Sequence, residues 1–324
     1  IPRMTSSQKD SIVNPDTSLL LYQTDSPAGY YYFNGTGWTI LINGSSAISK
    51  LNDLTDAKSD NNGSSIFVGI NAGENDDGSN LNVAMGFEAF KNNTTGHANI
   101  AIGYKAMLSN VTGYRNVALG LDALSSNTTA SGNIAIGFKS LDANTAGSNN
   151  VAVGFRSLDN NISGDQNAAS GKYALFENTT GRLNTAMGAH ALYYNKTGTL
   201  NTAIGYGADV TVDSLTNASA IGANAEVSRS NSLILGNNAS VGIGTSGPDS
   251  SAVLDINSNE KGILIPRLTE LQKTAIVNPA TSLLIYQTDG TPGYYYYDGG
   301  AWVQVSTGSQ ILNLNDLNFF QIFQ

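Results

Sequence analysis

Four consecutive aromatics, a glycine turn and a tryptophan occur twice, as GYYYFNGTGW at 29–38 and GYYYYDGGAW at 293–302. Rings in a row can take the apolar face of a ligand such as a sugar, or pack against another chain. Tyr30, Tyr32, Trp38, Tyr294, Tyr296 and Trp302 are therefore the candidate binding residues. Other side chains with chemical potential are sparse. His97 and His190 occupy different phases of the repeat described below, which argues against a metal pair or a catalytic dyad. Asp53, Asp56 and Asp60 could offer oxygen ligands to Ca²⁺, but their segment lacks the Gly at loop position 6 and the Glu at 12 of an EF-hand, which favours a solvated linker. Cleavage of a polysaccharide needs paired carboxylates. The stripe Glu88, Lys105, Asp122, Lys139, Arg156, Tyr173, His190 mixes charges instead, so no residue is assigned as catalytic and no cofactor or metal is expected. Thr pairs at 94, 128 and 179 are missing from intervening repeats, which weakens a flat ice-binding array.

Composition narrows the classes further. Only 13% of the 324 residues are charged and the net charge is −9, which argues against a nucleic-acid surface built of clustered Lys and Arg. There is no cysteine, so no redox compartment is indicated. No apolar run approaches the roughly 20 residues of a membrane helix, so no membrane insertion by this segment is expected. The opening IPRMTSSQKD lacks the features of a signal peptide, which would then lie outside this chain or have been removed.

The elements that position these residues are set by a repeat. NVAMG (82–86), NIAIG (99), NVALG (116), NIAIG (133), NVAVG (150), NAASG (167), NTAMG (184) and NTAIG (201) start 17 residues apart. Gly69, Gly86, Gly103, Gly120, Gly137, Gly154, Gly171, Gly188, Gly205 and Gly222 hold that spacing, and the interval to Gly236 shortens to 14. A fixed period this short makes each repeat one coil of a solenoid. In NIAIG, Ile100 and Ile102 face one way and Asn99, Ala101 and Gly103 the other, which predicts a strand covered on both sides. A second strand is expected over FEAF (87–90), YKAM, LDAL and their equivalents. Polar turns such as NNTTG and SNVTG then close the coil, with Gly96, Gly113, Gly164, Gly181 and Gly198 supplying positive φ and Gly132 standing in beside Ala130. Surplus apolar surface on the first strand calls for a cover, and copies of the same chain around a three-fold axis supply it.

The N-x-A-x-G repeat, with the shorter NASAIGANAEVSRSNSLILG (217–236), resembles the left-handed parallel β-roll heads of trimeric autotransporter adhesins over residues 66–240. VGIGTSGPDSSAVLDI (241–256) is similar to connectors of phage tail fibres and bacterial surface fibres. The resemblance implies a homotrimer with a head that contacts surface glycans or a host receptor; the family's usual coil is shorter than 17 residues.

Residues 1–38 align without a gap on 265–302, with 24 of 38 positions identical. Thr5 and Thr269 can cap short helices over SSQKDSIV and ELQKTAIV, ended by Asn-Pro at 14–15 and 278–279. A strand follows, and the aromatic run turns back through Asn34-Gly35 or Asp298-Gly299, dipeptides that suit a type I′ turn. Two of the four aromatics are expected under the helix. The unit resembles the IPRM…YQTD…YYYNG…W module of surface-fibre proteins.

The fold expected is predominantly all-β: a left-handed parallel β-roll solenoid, homotrimeric, with two small β-meander-plus-helix modules. The organisation is an aromatic module at 1–44, a polar linker at 45–63, the roll at 64–240, a connector at 241–262, a second module at 263–306 and a further linker from 307 to 324. LNDL at 51–54 and again at 314–317 suggests one period of a longer tandem array. The function expected is an extracellular structural and adhesive fibre segment of a bacterial cell-surface appendage. Alternatives are a receptor-binding tail fibre of a phage or contractile injection system, a polymerised filament, and a polysaccharide-cleaving tailspike.

Overall fold

The computed structural model describes residues 1–43, 56–59, 64–78 and 80–305. The chain divides into two units, Ile1–Ser240 and Val241–Gln324. Most of both linkers, with Asp53, Asp60 and the second LNDL, lies outside the described residues.

The first unit opens with β1 (Arg3–Met4), α1 (Ser6–Asp10), β2 (Leu20–Gln23), β3 (Gly29–Phe33) and β4 (Trp38–Asn43). The strands form one sheet in that order, with only the β1–β2 pair parallel. Thr5 caps α1 reciprocally: its Oγ1 accepts from the Gln8 backbone N–H at 3.3 Å, and Gln8 Oε1 accepts from the Thr5 N–H at 2.8 Å. The helix is shorter than SSQKDSIV because the chain tightens after Asp10, where the Ile12 N–H donates to Lys9 O, and Asn14 turns left-handed at φ 50°.

The roll is a twelve-stranded sheet. Its strands are β5 (Ala57–Ser59), β6 (Ile66–Val68), β7 (Val83–Met85), β8 (Ile100–Ile102), β9 (Val117–Leu119), β10 (Ile134–Ile136), β11 (Val151–Val153), β12 (Ala168–Ser170), β13 (Thr185–Met187) and β14 (Thr202–Ile204). After β15 (Asp209–Val210) come β16 (Ala218–Ile221), β17 (Glu226–Val227) and β18 (Ser232–Leu235), with β15 and β17 paired as a separate ladder. From β6 onward the sheet is parallel and in register at 17 residues, as in Ile134↔Val151, and β16 to β18 steps by 14. β5 instead runs antiparallel on β6, and Lys58 Nζ sits 5.1 Å from the Phe67 ring. Residues 57–59 are thus part of the roll rather than of a solvated linker, covering its open edge.

Small side chains line the inside of the strands from β7 to β14: Ala101, Ala118, Ala135 and Ala152 are wholly buried. Within a single chain the strand is covered on one side, and Ile100 and Ile102 on the other remain 39% and 38% exposed.

Asparagine is the other interior residue. Asn82, Asn99, Asn116, Asn133, Asn150, Asn167, Asn184 and Asn201 stack coil on coil, each Oδ1 accepting the backbone N–H of the residue 17 positions later at 2.9–3.0 Å. A second column, Asn93 to Asn195, links Nδ2 to the preceding Oδ1 at 2.7–3.3 Å. One turn carbonyl per coil, such as Gly113 O, accepts from both columns. At the first coil both free Nδ2 groups meet the carboxylate of Asp76, at 2.9 Å and 2.7 Å. At the far end Asn201 Nδ2 donates to Asn195 Oδ1.

The second half of each coil before Gly205 is not a strand. In FEAF and its equivalents alternate residues are left-handed, Glu88 at φ 53° and Phe90 at φ 57°, and likewise Asp122 and Leu124. The amides still bond between coils, as Glu88 N–H to Ile70 O and Phe90 N–H to Ala106 O. Alternation of hand lets the segment curl while keeping its ladder, which a flat strand cannot do. Phe90, Met107, Leu124, Leu141, Leu158, Leu175 and Leu192 form its buried column.

Glycine has two separate uses. Gly120 has φ 141°, and a Cβ there would lie 2.5 Å from Gly137 O in the next coil. The turn glycines expected at positive φ are not there: Gly96 and Gly113 have ordinary φ and are small because the next turn's backbone and the Asn columns leave no room. Positive φ falls two residues later, on Ala98, Arg115 and, as the sequence places it, Gly132.

The second unit carries the parallel pair β19 (Val241–Ile243) and β20 (Leu254–Ile256). Next come β21 (Arg267–Leu268), α2 (Glu270–Thr274), β22 (Leu284–Gln287), β23 (Gly293–Tyr297) and β24 (Trp302–Gln304), which repeat the first module strand for strand.

Candidate functional site

Three surfaces can do work. The first is the outer face of the roll sheet, where two rows of side chains run along the coils: Val83, Ile100, Ile134 and Val151 in one, Met85, Ile102, Ile136 and Val153 in the other. A neighbouring row carries Phe87 stacked on Tyr104 at 5.4 Å and Phe138 on Phe155 at 5.0 Å. A continuous apolar face of this length marks an interaction surface.

The second is the aromatic modules. Tyr31 and Tyr295 alone of each run are buried, and the ammonium of Lys9 or Lys273, from the helix above, sits 4.0 or 4.1 Å from the ring centre. Lys273 Nζ also donates to Gln287 Oε1 at 2.6 Å. The matching Gln23 Oε1 is the one buried side-chain polar atom without a partner among the described residues. Tyr30 and Tyr32 lie on the opposite face, with Tyr30 edge-on to Tyr22 at 5.0 Å, and Tyr294 meets Tyr286 in the same way. Trp38 pairs with Phe33, and Trp302 with Tyr297, placing the tryptophans on the Tyr31 and Tyr295 side. The tyrosine and tryptophan candidates therefore do not form one site.

The hairpin turns also differ from expectation. Asn34 and Asp298 flank the turn rather than occupy its centre, which falls on Gly35 and Gly299 at φ 96° and 108°. Asn34 Oδ1 accepts the N–H of Thr36 and Gly37, and Asp298 Oδ1 those of Gly300 and Ala301. These backbone donors hold the Asp298 carboxyl below its usual range.

The third surface was not visible as a motif. Phe176, His190, Tyr193, Tyr194 and Tyr206 come together over consecutive coils: Phe176 stacks on Tyr193 at 5.1 Å, His190 on Tyr193 at 5.5 Å, and Tyr194 meets Tyr193 edge-on at 4.8 Å. Beside them a pocket of about 640 Å³ reaches Asp209, Asn224 and Glu226. Asp209 is buried, its oxygens accepting the N–H of Val210 at 2.7 Å and Tyr194 at 3.2 Å. Burial outweighs those donors and pushes its pKa up to about 6. The signal that could have found it is a phase comparison: aromatics at 176 and 193 fall where other coils carry Leu108, Ser125 and Asp142. His97 lies apart, stacked on Tyr114 at 5.0 Å.

No helix among the described residues is long and apolar enough to cross a membrane. A family model described as a phage tail like trimerisation region matches residues 1–65 and 242–317, bracketing the roll. No curated protein and no solved structure matches the chain. The matched region supports self-association as a trimer, and with the solenoid between its two parts the chain fits a segment of a fibre or tail fibre.

Proposed function

We propose that three copies of this chain form a receptor-binding fibre segment of a tail-like particle, with the modules joining the chains and the roll holding a binding surface at a distance. The observation that carries this reading is the pair of exposed aliphatic rows on the roll sheet, lying between the two stretches that match a trimerisation region. Sheet faces turned toward a three-fold axis would remove those rows from water, at about 25 cal/mol per Å². The phage-tail likeness of the match supports a tail fibre over the bacterial cell-surface appendage, and either places the segment outside the cell. Its work is mechanical and adhesive.

Native mass measurement at low micromolar concentration tests the assembly: about three times the 33.9 kDa chain mass is expected, and a well-folded monomer refutes it. Ile134→Asp with Ile136→Asp tests the face, since both side chains are exposed in the single chain. The trimer should dissociate or melt earlier, and an unchanged trimer with unchanged melting would move the interface elsewhere.

A further inference from the structure

We infer that the pocket beside Tyr193 and Tyr194 is a binding site for an uncharged saccharide. It forms where the cross-section of the roll changes: the curled segment of the preceding coils gives way to β15 and β17, leaving a ledge under Tyr193 and Tyr194. Its volume of about 640 Å³ falls within the roughly 300–1,000 Å³ of small-molecule sites.

The lining divides as a pyranose does. A sugar ring has an apolar C–H face and a rim of hydroxyls, and it needs a flat ring for the first and paired acceptors and donors for the second. Tyr194 and Tyr206 are 64% and 61% exposed, so their faces are open. Tyr193 is wedged between Phe176, Tyr194 and His190, which fixes the platform before anything binds. At the polar edge, Glu226 is paired in register with Asp209, and its exposed carboxylate has no hydrogen-bond or ion-pair partner among the described residues; nor has the side chain of Asn224. Both can take hydroxyls. Asp209 has both oxygens on backbone N–H groups and instead anchors Tyr194 above it.

Charge selects among sugars. Two carboxylates and no Lys or Arg line the pocket, so uronates, sialylated glycans and phosphorylated sugars are disfavoured. A lone cation fits less well, because neighbouring rings only 4.8 Å apart, such as Tyr193 and Tyr194, pack on each other and leave no cage between them. None of the lining residues belongs to the aliphatic rows of the sheet, so the pocket lies outside those rows.

The inference rests on the adhesive half of the proposed function and not on its trimeric half. The test is saturation-transfer NMR and array binding of the full chain with chitotriose, maltotriose, cellotriose and lactose, against sialyllactose and tri-galacturonate. Binding of at least one neutral oligosaccharide and of neither acidic one is expected. Tyr194→Ala with Glu226→Gln, both at exposed positions, should weaken it at least about tenfold while leaving the native mass and circular dichroism unchanged. Tyr30→Ala with Tyr294→Ala should leave binding intact. Loss of binding in that second variant, or binding unchanged in the first, places the site elsewhere and overturns the inference. Preference for the acidic glycans, or competition by tetramethylammonium, overturns the ligand class. Absence of binding to every probe removes both the site and saccharide adhesion, while the mass measurement judges the trimer separately.

Discussion

Asn133→Ala removes one rung of the interior asparagine column at mid-roll. Asn133 Oδ1 accepts the backbone N–H of Asn150 at 2.9 Å and its Nδ2 at 3.3 Å, and Asn133 Nδ2 donates to Gly147 O at 2.9 Å. The losses are unequal. Gly147 O keeps Asn144 Nδ2, and Asn150 Nδ2 keeps Gly164 O, so each of those groups stays satisfied. The Asn150 N–H has no other partner and becomes a buried orphan, costing about 1–3 kcal/mol, with about 0.5–1.5 kcal/mol for each of the two other bonds. The total is about 2–6 kcal/mol. Because a solenoid opens locally, the readout is hydrogen exchange of the 131–167 coils alongside denaturant unfolding at fixed chain concentration. Asn133→Asp serves as the matched control: it keeps both acceptors for Asn150 but turns the donor facing Gly147 O into a buried anion. Its deficit relative to wild type should therefore shrink as pH falls and the carboxyl protonates, becoming again a donor. A loss below about 0.5 kcal/mol with unchanged protection at Asn150 would refute the column as a source of stability.

Gly120→Ala should cost more than about 2 kcal/mol, since it combines an unfavourable φ with a Cβ 2.5 Å from Gly137 O; an unaltered unfolding midpoint would contradict this. Asp209, with a folded pKa of about 6 against 3.8, holds its proton longer in the native state, so its contribution is fully present below about pH 4 and is lost as pH rises through about 6. Wild type should lose about 3 kcal/mol relative to Asp209→Asn between pH 4 and 7, and parallel stability profiles would argue against it. Asn110, Asn161, Asn178 and Asn195 form glycosylation sequons but are wholly buried; folded chain from a glycosylating host should carry no glycan at any of them by peptide mapping, and one at Asn161 would show the column to be open. Asp76→Ala should lower the protection of the first coils while sparing those beyond residue 150, and uniform destabilisation would point to another cause.

What the sequence made legible was everything governed by the period. The 17-residue register, the inward alanines and the two equivalent modules follow from spacing alone, because neighbouring coils must place equivalent residues together. What it hid depended on contacts between positions 17 apart. Leu124 at φ 52° contradicts every local preference of leucine, and it is tolerated because bonds to the coils on both sides determine the backbone. The period puts Asn150 on the same side of its strand as Ala152, but nothing in one repeat shows its carboxamide held between those of Asn133 and Asn167. Spacing predicts a torsion for Gly113, whose role is clearance. The pocket escaped because tyrosines at 193 and 194 become a platform only beside the change of cross-section at 209, which no short window contains.

The interior amides also give the roll a direction. Every Nδ2 in the second column points toward the amino-terminal end, where Asp76 receives it, and the opposite end is closed by Asn201 on Asn195. Each coil thus presents a row of acceptors to the coil that follows it. Between the two closures the rungs are interchangeable. Insertion or loss of a whole 17-residue unit would leave both closures intact and change the length of the roll by a single inter-strand spacing of about 4.8 Å, so the roll can be lengthened or shortened by copying or dropping units while its two closing contacts stay the same.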